Sequence, residues 1–195
     1  MPDNEKYLTL LLDGTRRGER NAQRKLYEHF YGYALSICLR YAQQRAEAVE
    51  ILNDGFLKVF TKIDRYDHSL PFKPWLRRIL IHTAIDHLRA GLRPIHVDLN
   101  AAAALIADDI PLPILSPEED ALPYIQQLPP GYRMVFNLYV MEDYDHREIA
   151  EMLGISEATS RSNLTRAKEK LREMLQHKKR QDIQQKPSNH HRTAI

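Results

Sequence analysis

Two stretches carry residues whose types and spacing suit contact with a polyanion. The first covers residues 72–89, where Phe72, Trp75 and the bases Lys73, Arg77, Arg78 and Arg89 alternate along a helical pattern begun by Pro74, which suits a first turn. Rings beside cations are what single-stranded nucleic acid needs, since bases stack on rings and phosphates pair with cations. Packing of Trp75, the only tryptophan, into a core is the other reading its composition allows. The second stretch is His146-Arg147-Glu148-Ile149-Ala150-Glu151-Met152-Leu153-Gly154-Ile155-Ser156. Ala150 is small enough for a second helix to cross it. Gly154 falls where a left-handed backbone costs glycine little. Ile155 fills the angle, and Ser156 caps the next helix with Thr159 three residues on. This spacing predicts a helix–turn–helix, a unit that sets its second helix into a DNA major groove. That second helix carries Arg161, Ser162, Asn163, Thr165, Arg166 and Lys168, side chains able to reach base edges or phosphates. A plain helical hairpin with a charged outer face is the alternative.

Other chemistries find little support. His82 and His87 are five apart and do not share a helix face as an i, i+4 metal pair would. His190 and His191 lie in a polar tail. No glycine-rich phosphate loop or nucleophile elbow occurs. Cys38 is the only cysteine, which excludes an intramolecular disulfide and a multi-cysteine metal site, and its place on an apolar stripe marks it as a small buried hydrophobe. No metal, cofactor or catalytic residue is expected, and the chain is not read as an enzyme. No apolar run approaches the roughly 20 residues of a membrane span. The polar start predicts no signal peptide, so a cytoplasmic protein fits best.

The elements that position these residues read as helices throughout. Leu26, Phe30, Ala34, Ile37, Cys38 and Tyr41 form one stripe at spacings of three and four. Ala48, Ile51, Leu52, Phe56, Val59, Phe60 and Ile63 form a second, and Trp75, Ile79, Ala84, Ile85 and Leu88 a third. Val135, Leu138 and Tyr139, then Ile149, Met152 and Leu153, then Leu164, Ala167, Leu171 and Leu175 complete the pattern. Seven of the eleven prolines fall between Pro94 and Pro130, too densely for a long helix. Residues 94–132 hold six acids and no Lys or Arg, whereas residues 161–180 hold eight bases against two acids. The net charge of +2 says less than this distribution. The expectation is an all-α fold of two small helical domains: an N-terminal lobe over 5–91, a Pro-rich acidic linker over 92–121, and a C-terminal helix–turn–helix lobe over 122–176. A polar basic tail over 177–195 is expected to fray.

Taken in order, these residues resemble a known family. Asp54-x-Phe56-x-Lys58-Val59, Phe72-x-x-Trp75-Leu76-x-Arg78-Ile79 and Thr83-Ala84-x-Asp86-x-Leu88-Arg89 resemble the second conserved region of sigma-70-family RNA polymerase sigma factors. Leu128-Pro129-x-x-Tyr132-Arg133, Glu148-Ile149-Ala150 and the helix–turn–helix resemble the fourth. Two regions and a short linker are the layout of the extracytoplasmic-function (ECF) group. The resemblance implies an alternative sigma factor that binds core RNA polymerase, directs it to specific promoters and promotes DNA opening for transcription initiation. It implies core-polymerase contacts through Asp54, Phe56, Leu57, Lys58 and Val59. It implies minus-ten DNA contacts through Tyr66, His68, Trp75, Arg77, Arg78, His82, Asp86 and Arg89, with Tyr66 and His68 forming a pocket for an unstacked base. It implies minus-thirty-five DNA contacts through Arg161, Ser162, Thr165, Arg166 and Lys168. Many members also meet an anti-sigma factor, and the acidic linker would suit a basic polymerase channel. Ser160 stands where many relatives carry an aliphatic side chain, which predicts a looser angle between the helices of the turn. The lobes are expected to be tethered flexibly, so that the free protein binds duplex DNA poorly until polymerase spaces them.

Overall fold

The computed structural model describes residues 2–91 and 120–185, with no strand among them. Residues 92–119 of the linker and 186–195 of the tail lie outside the described residues, and with them the acids Asp98, Asp108, Asp109, Glu118 and Glu119. The described residues form eight α-helices in chain order: α1 (Pro2–Arg16), α2 (Arg20–Tyr41), α3 (Arg45–Lys62), α4 (Phe72–Gly91), α5 (Leu122–Gln127), α6 (Pro130–Phe136), α7 (His146–Leu153) and α8 (Glu157–Gln185). A 3₁₀ turn, Ile63–Arg65, follows α3, and a π-helical stretch, Asn137–Met141, follows α6.

The first four helices form a bundle around the stripes read from the sequence. Leu26, Ile37 and Cys38 of α2 are buried with Ile51, Leu52, Phe56 and Val59 of α3 and Leu76, Leu80 and Ile81 of α4. Gly55 permits the close crossing of α3 and α4, because a Cβ there would lie 2.6 Å from Leu80 Cδ2. Gly14 does the same for α1 and α2: a Cβ there would lie 2.6 Å from the Cβ of Ala22, an atom that cannot swing aside.

In the C-terminal lobe α8 packs on α6 and α7 through Leu164, Ala167 and Leu171. Helix α8 runs to Gln185, past the point at which the tail was expected to fray. Lys, Arg and Gln are good helix formers, and an established helix adds such residues one hydrogen bond at a time.

The two lobes do not hang apart. The buried apolar side chains of both belong to one continuous core, in which α2 meets α5 and α6. The flexible tether expected from the prolines is thus not the arrangement seen. Helix α2 ends without a glycine cap, and its last carbonyls find donors across the seam. Gln126 Nε2 donates to Leu39 O at 3.0 Å, and Asn137 Nδ2 donates to Arg40 O at 2.7 Å. A helix leaves four such carbonyls unsatisfied, so the C-terminal lobe caps the N-terminal one.

Candidate nucleic-acid interface

The loop between α3 and α4 is held from three sides. Arg16, at the end of α1, donates to Tyr66 O at 3.2 Å and pairs with Asp64 at 3.6 Å. The Tyr66 hydroxyl donates to Leu70 O, and Ser69 N donates to Asp67 Oδ1 at 2.9 Å. The backbone and hydroxyl of Ser69 hold the Asp67 carboxyl below its usual range. This fixed loop, α1 and α2 bound an open cleft of about 510 Å³ whose lining includes Leu8, His29, Phe30, His68 and Lys73. Within it Tyr66 is buried, packed on His68, Phe72 and Trp75, while His68 is exposed. Tyr66 therefore shapes the floor of the cleft and His68 stands at its rim. Trp75 is half-buried, its ring 5.2 Å from that of Tyr66 and 5.7 Å from that of Phe72. One part of this ring packs against its aromatic neighbours and one part remains open to solvent.

Along α4, Arg78 and His82 face solvent, with His82 Nδ1 2.7 Å from Arg78 O. Asp86 pairs with Lys58 at 2.8 Å, and Asp54 with His87 at 2.7 Å. Residues assigned to two different partners by motif thus brace one another across α3 and α4. His87 had no signal in the sequence, because nothing local shows that α3 brings a carboxylate beside it. On α3 itself, Phe56 and Val59 are 1% and 0% exposed, whereas Leu57 is 62% exposed. The two buried side chains follow the i, i+3 core stripe and offer no surface to a partner. The outward set is Asp54, Leu57 and part of Lys58.

The helix–turn–helix has the local geometry its sequence predicts. Asp145 caps α7 in a full capping box with Glu148. Gly154 takes φ 68°, and Ile155 N reaches back to Ala150 O at 3.1 Å. Ser156 Oγ accepts from Thr159 N at 3.1 Å and lies 2.9 Å from the Thr159 hydroxyl. Ser160 does not leave a loose angle. It is fully buried, and its hydroxyl lies 2.9 Å from Nδ1 of buried His146, whose ring stacks on Tyr139. A polar pair replaces the aliphatic contact, and the sequence pattern hid it because the partners are fourteen residues apart.

Of the expected minus-thirty-five set, Arg161 and Arg166 are partly exposed, beside Glu157 at 3.7 Å and Glu169 at 3.4 Å. Ser162, Thr165 and Lys168 are buried in this arrangement, and the Thr165 hydroxyl donates to Arg161 O at 3.1 Å. A duplex could not reach those three without a rearrangement.

Glu142 was not singled out by any motif, yet it is a hub. Its side chain is 4% exposed and ion-paired with Arg77 at 2.5 Å and Arg40 at 3.7 Å. It accepts from the Tyr41 hydroxyl at 3.2 Å. Arg77 also donates to Met141 O at 2.8 Å. The hydrogen bond to Glu142 raises the Arg77 pKa further, and burial, then the charge of Glu142, pushes the Tyr41 phenol well above its ordinary value. The next residue, Asp143, takes φ 58°, a left-handed turn that Asp tolerates. Arg89 crosses the seam too, donating to Met152 O at 2.6 Å. No group of three or more His, Cys, Asp or Glu among the described residues could hold a metal ion, and none of their helices is long and apolar enough to cross a membrane.

A four-helix lobe with a ring-and-cation helix, joined to a helix–turn–helix lobe, defines a DNA-binding protein of two modules. Comparison with known proteins agrees. Residues 26–93 match the Sigma-70 region 2 family, and residues 122–171 match Sigma-70, region 4. The RNA polymerase sigma factor CarQ of Myxococcus xanthus is 30% identical over 168 residues, 82% of this chain and 92% of CarQ. The ECF RNA polymerase sigma factor SigM of Bacillus subtilis is 25% identical over 150 residues, 76% of this chain and 91% of SigM. Among solved structures, the sigma factor RpoE in complex with the anti-sigma factor NepR from Bartonella quintana is 17% identical, with a TM-score of 0.46 over 90% of this chain and 98% of that one. The chain belongs to the sigma-70 family of RNA polymerase sigma factors, in its ECF group.

Proposed function

We propose that this chain is an alternative sigma factor that binds core RNA polymerase, directs it to specific promoters and promotes strand opening at the start site. The observation that carries the reading is the presence, in family order on one chain, of a region 2 bundle and a region 4 helix–turn–helix whose local geometry is intact. The outward side chains Asp54, Leu57 and Lys58 form the polymerase-docking face, and Phe56 and Val59 hold that face rigid from beneath. The cleft behind His68 takes an unstacked minus-ten base, with Trp75 at the fork and Arg77, Arg78, His82 and Arg89 along the strand. Asp86 positions Lys58. Arg161 and Arg166 lead the reading of the minus-thirty-five duplex, joined by Ser162, Thr165 and Lys168 once they are uncovered. The chain acts in the cytoplasm, without catalysis of its own, and its apolar exposed positions suit an anti-sigma partner. Mixing the protein with bacterial core polymerase and following size exclusion tests the reading. Co-elution, and start sites that appear only with the reconstituted enzyme, are the expected results. A folded protein that fails to bind a matched core polymerase would overturn it.

A further inference from the structure

We propose that Glu142 is a positioning residue that latches the two lobes by occupying the arginine needed for DNA, so that lobe opening and promoter engagement are a single event. The inference rests on the sigma-factor reading for the identity of the DNA. Its structural basis is independent of it.

The chemistry is that of competition. An arginine fork binds a carboxylate or a phosphate through the same N–H donors in the same plane. In the closed chain the Arg77 fork is occupied by the Glu142 carboxylate and the Met141 carbonyl. Arg89, on the same helix, is occupied by the Met152 carbonyl near the C-terminal end of α7. Both arginines sit at the end of a C-terminal-lobe segment, where cations satisfy orphan carbonyls. The Nε–Nη2 edge of Arg77 cannot take a phosphate while it serves Glu142 and Met141, and Arg89 has one N–H committed to the seam.

Apolar side chains of both lobes meet across the seam, and the contacts that set its geometry are polar: Gln126 to Leu39 O, Asn137 to Arg40 O, and the Glu142 cluster. A half-open pocket of about 140 Å³ lies along it, lined by Tyr41, Glu47, His87 and Arg133 among others. Buried Arg133 Nε and Asn137 Oδ1 have no hydrogen-bond partner. Burial lowers the Arg133 pKa, the mark of a guanidinium held away from water with incomplete compensation. Interfaces between domains are more polar and less filled than cores. Ser162, Thr165 and Lys168 of the second DNA-reading surface are also buried in this state, while Arg161 and Arg166 stay exposed.

The energetic consequence is direct. A chain that binds DNA only when open has an apparent affinity reduced by the fraction that is open. Removing the latch therefore strengthens binding, whereas loss of an ordinary structural contact weakens it.

The test uses the full-length chain. Binding of a fluorescein-labelled 30-base-pair duplex of mixed sequence, and of its single strand, is measured for wild type, Glu142→Gln and Glu142→Ala. Small-angle X-ray scattering gives the radius of gyration. Glu50→Gln removes the same charge at an exposed position and controls for net charge. The expected result is a larger radius of gyration and about tenfold tighter binding of both probes for the Glu142 variants, corresponding to roughly 1.4 kcal/mol of lost closure. Glu50→Gln should change binding less than twofold, an electrostatic effect only. If Glu142→Ala does not fold by circular dichroism, the near-isosteric Glu142→Gln decides. Unchanged scattering and unchanged or weaker binding in folded Glu142→Gln would overturn the latch. Opening by Glu142→Gln in a chain that ignores core polymerase would leave the latch standing and overturn the sigma-factor reading instead.

Discussion

On α3, burial separates the side chains that hold the fold from those that face solvent. Leu57→Ala should leave thermal melting nearly unchanged, because the side chain is exposed, while weakening co-elution with core polymerase. Phe56→Ala should instead lower stability by about 3–5 kcal/mol, the range for emptying a buried aromatic site. Denaturant melts set against polymerase binding separate the two. Cys38 offers a second check at this scale. Burial pushes its thiol up to about 12 from an ordinary 9.0. The unfolded chain then loses its proton first as pH rises. The stabilising contribution is complete below about pH 9 and is lost progressively toward about pH 12. Native protein at pH 8 should therefore resist a thiol-specific reagent that reacts at once in denaturant. Rapid labelling of the folded chain would show that Cys38 is not buried in solution. The motif reading of α3 merged inward and outward positions, because a family motif records both core and contact residues without marking which is which.

At the scale of elements, the sequence carried most of the local structure. The apolar stripes of α2, α3, α4, α7 and α8 were legible because helical period shows in any amphipathic segment. So were Gly154 and the Ser156 cap, whose roles depend only on neighbours along the chain. What could not be read was any contact set by tertiary approach: His146 with Ser160, Asp54 with His87, and Gly14 against Ala22. Ser160→Ala should cost about 1–3 kcal/mol by leaving a buried imidazole nitrogen without its hydroxyl. It should also weaken duplex reading more than it weakens binding to core polymerase, since the angle between α7 and α8 is what changes. Gly154→Ala should cost about 1 kcal/mol from left-handed backbone alone. Gly14→Ala gains helix propensity of about 1 kcal/mol but meets an immovable Cβ, so a net loss of roughly 1 kcal/mol is expected from melting temperatures.

For the molecule as a whole, the prolines and acids of the linker announced two modules but not their relation. Nothing in a proline-rich stretch says whether the bodies it joins will pack. The packing follows from the ends of helices: α2 stops at Tyr41 with carbonyls to satisfy, and Gln126 and Asn137 stand where they can satisfy them. Tyr41→Phe removes one hydrogen bond to the Glu142 carboxylate and should loosen closure by about 1 kcal/mol, read as a small rise in radius of gyration and in DNA affinity. Its effect should fall between wild type and Glu142→Gln, and an effect larger than that of Glu142→Gln would mean that the aromatic ring, not the carboxylate, holds the seam.

The carbonyls of Leu39, Arg40, Met141 and Met152 have a further consequence. Each must exchange a side-chain donor for a solvent molecule when the lobes separate, and the half-open 140 Å³ pocket opens fully to water. Separation is therefore a hydration reaction. Its equilibrium depends on the activity of water as well as on salt and ligand. An excluded osmolyte such as sucrose, which favours burial without touching the protein, should hold the wild-type chain closed and depress its binding to DNA. The Glu142→Gln chain, already wet along the seam, should respond far less. Under the proposed latch, opening depends on how readily water reaches the polar contacts of the seam, and promoter DNA competes with that water for the same guanidinium groups.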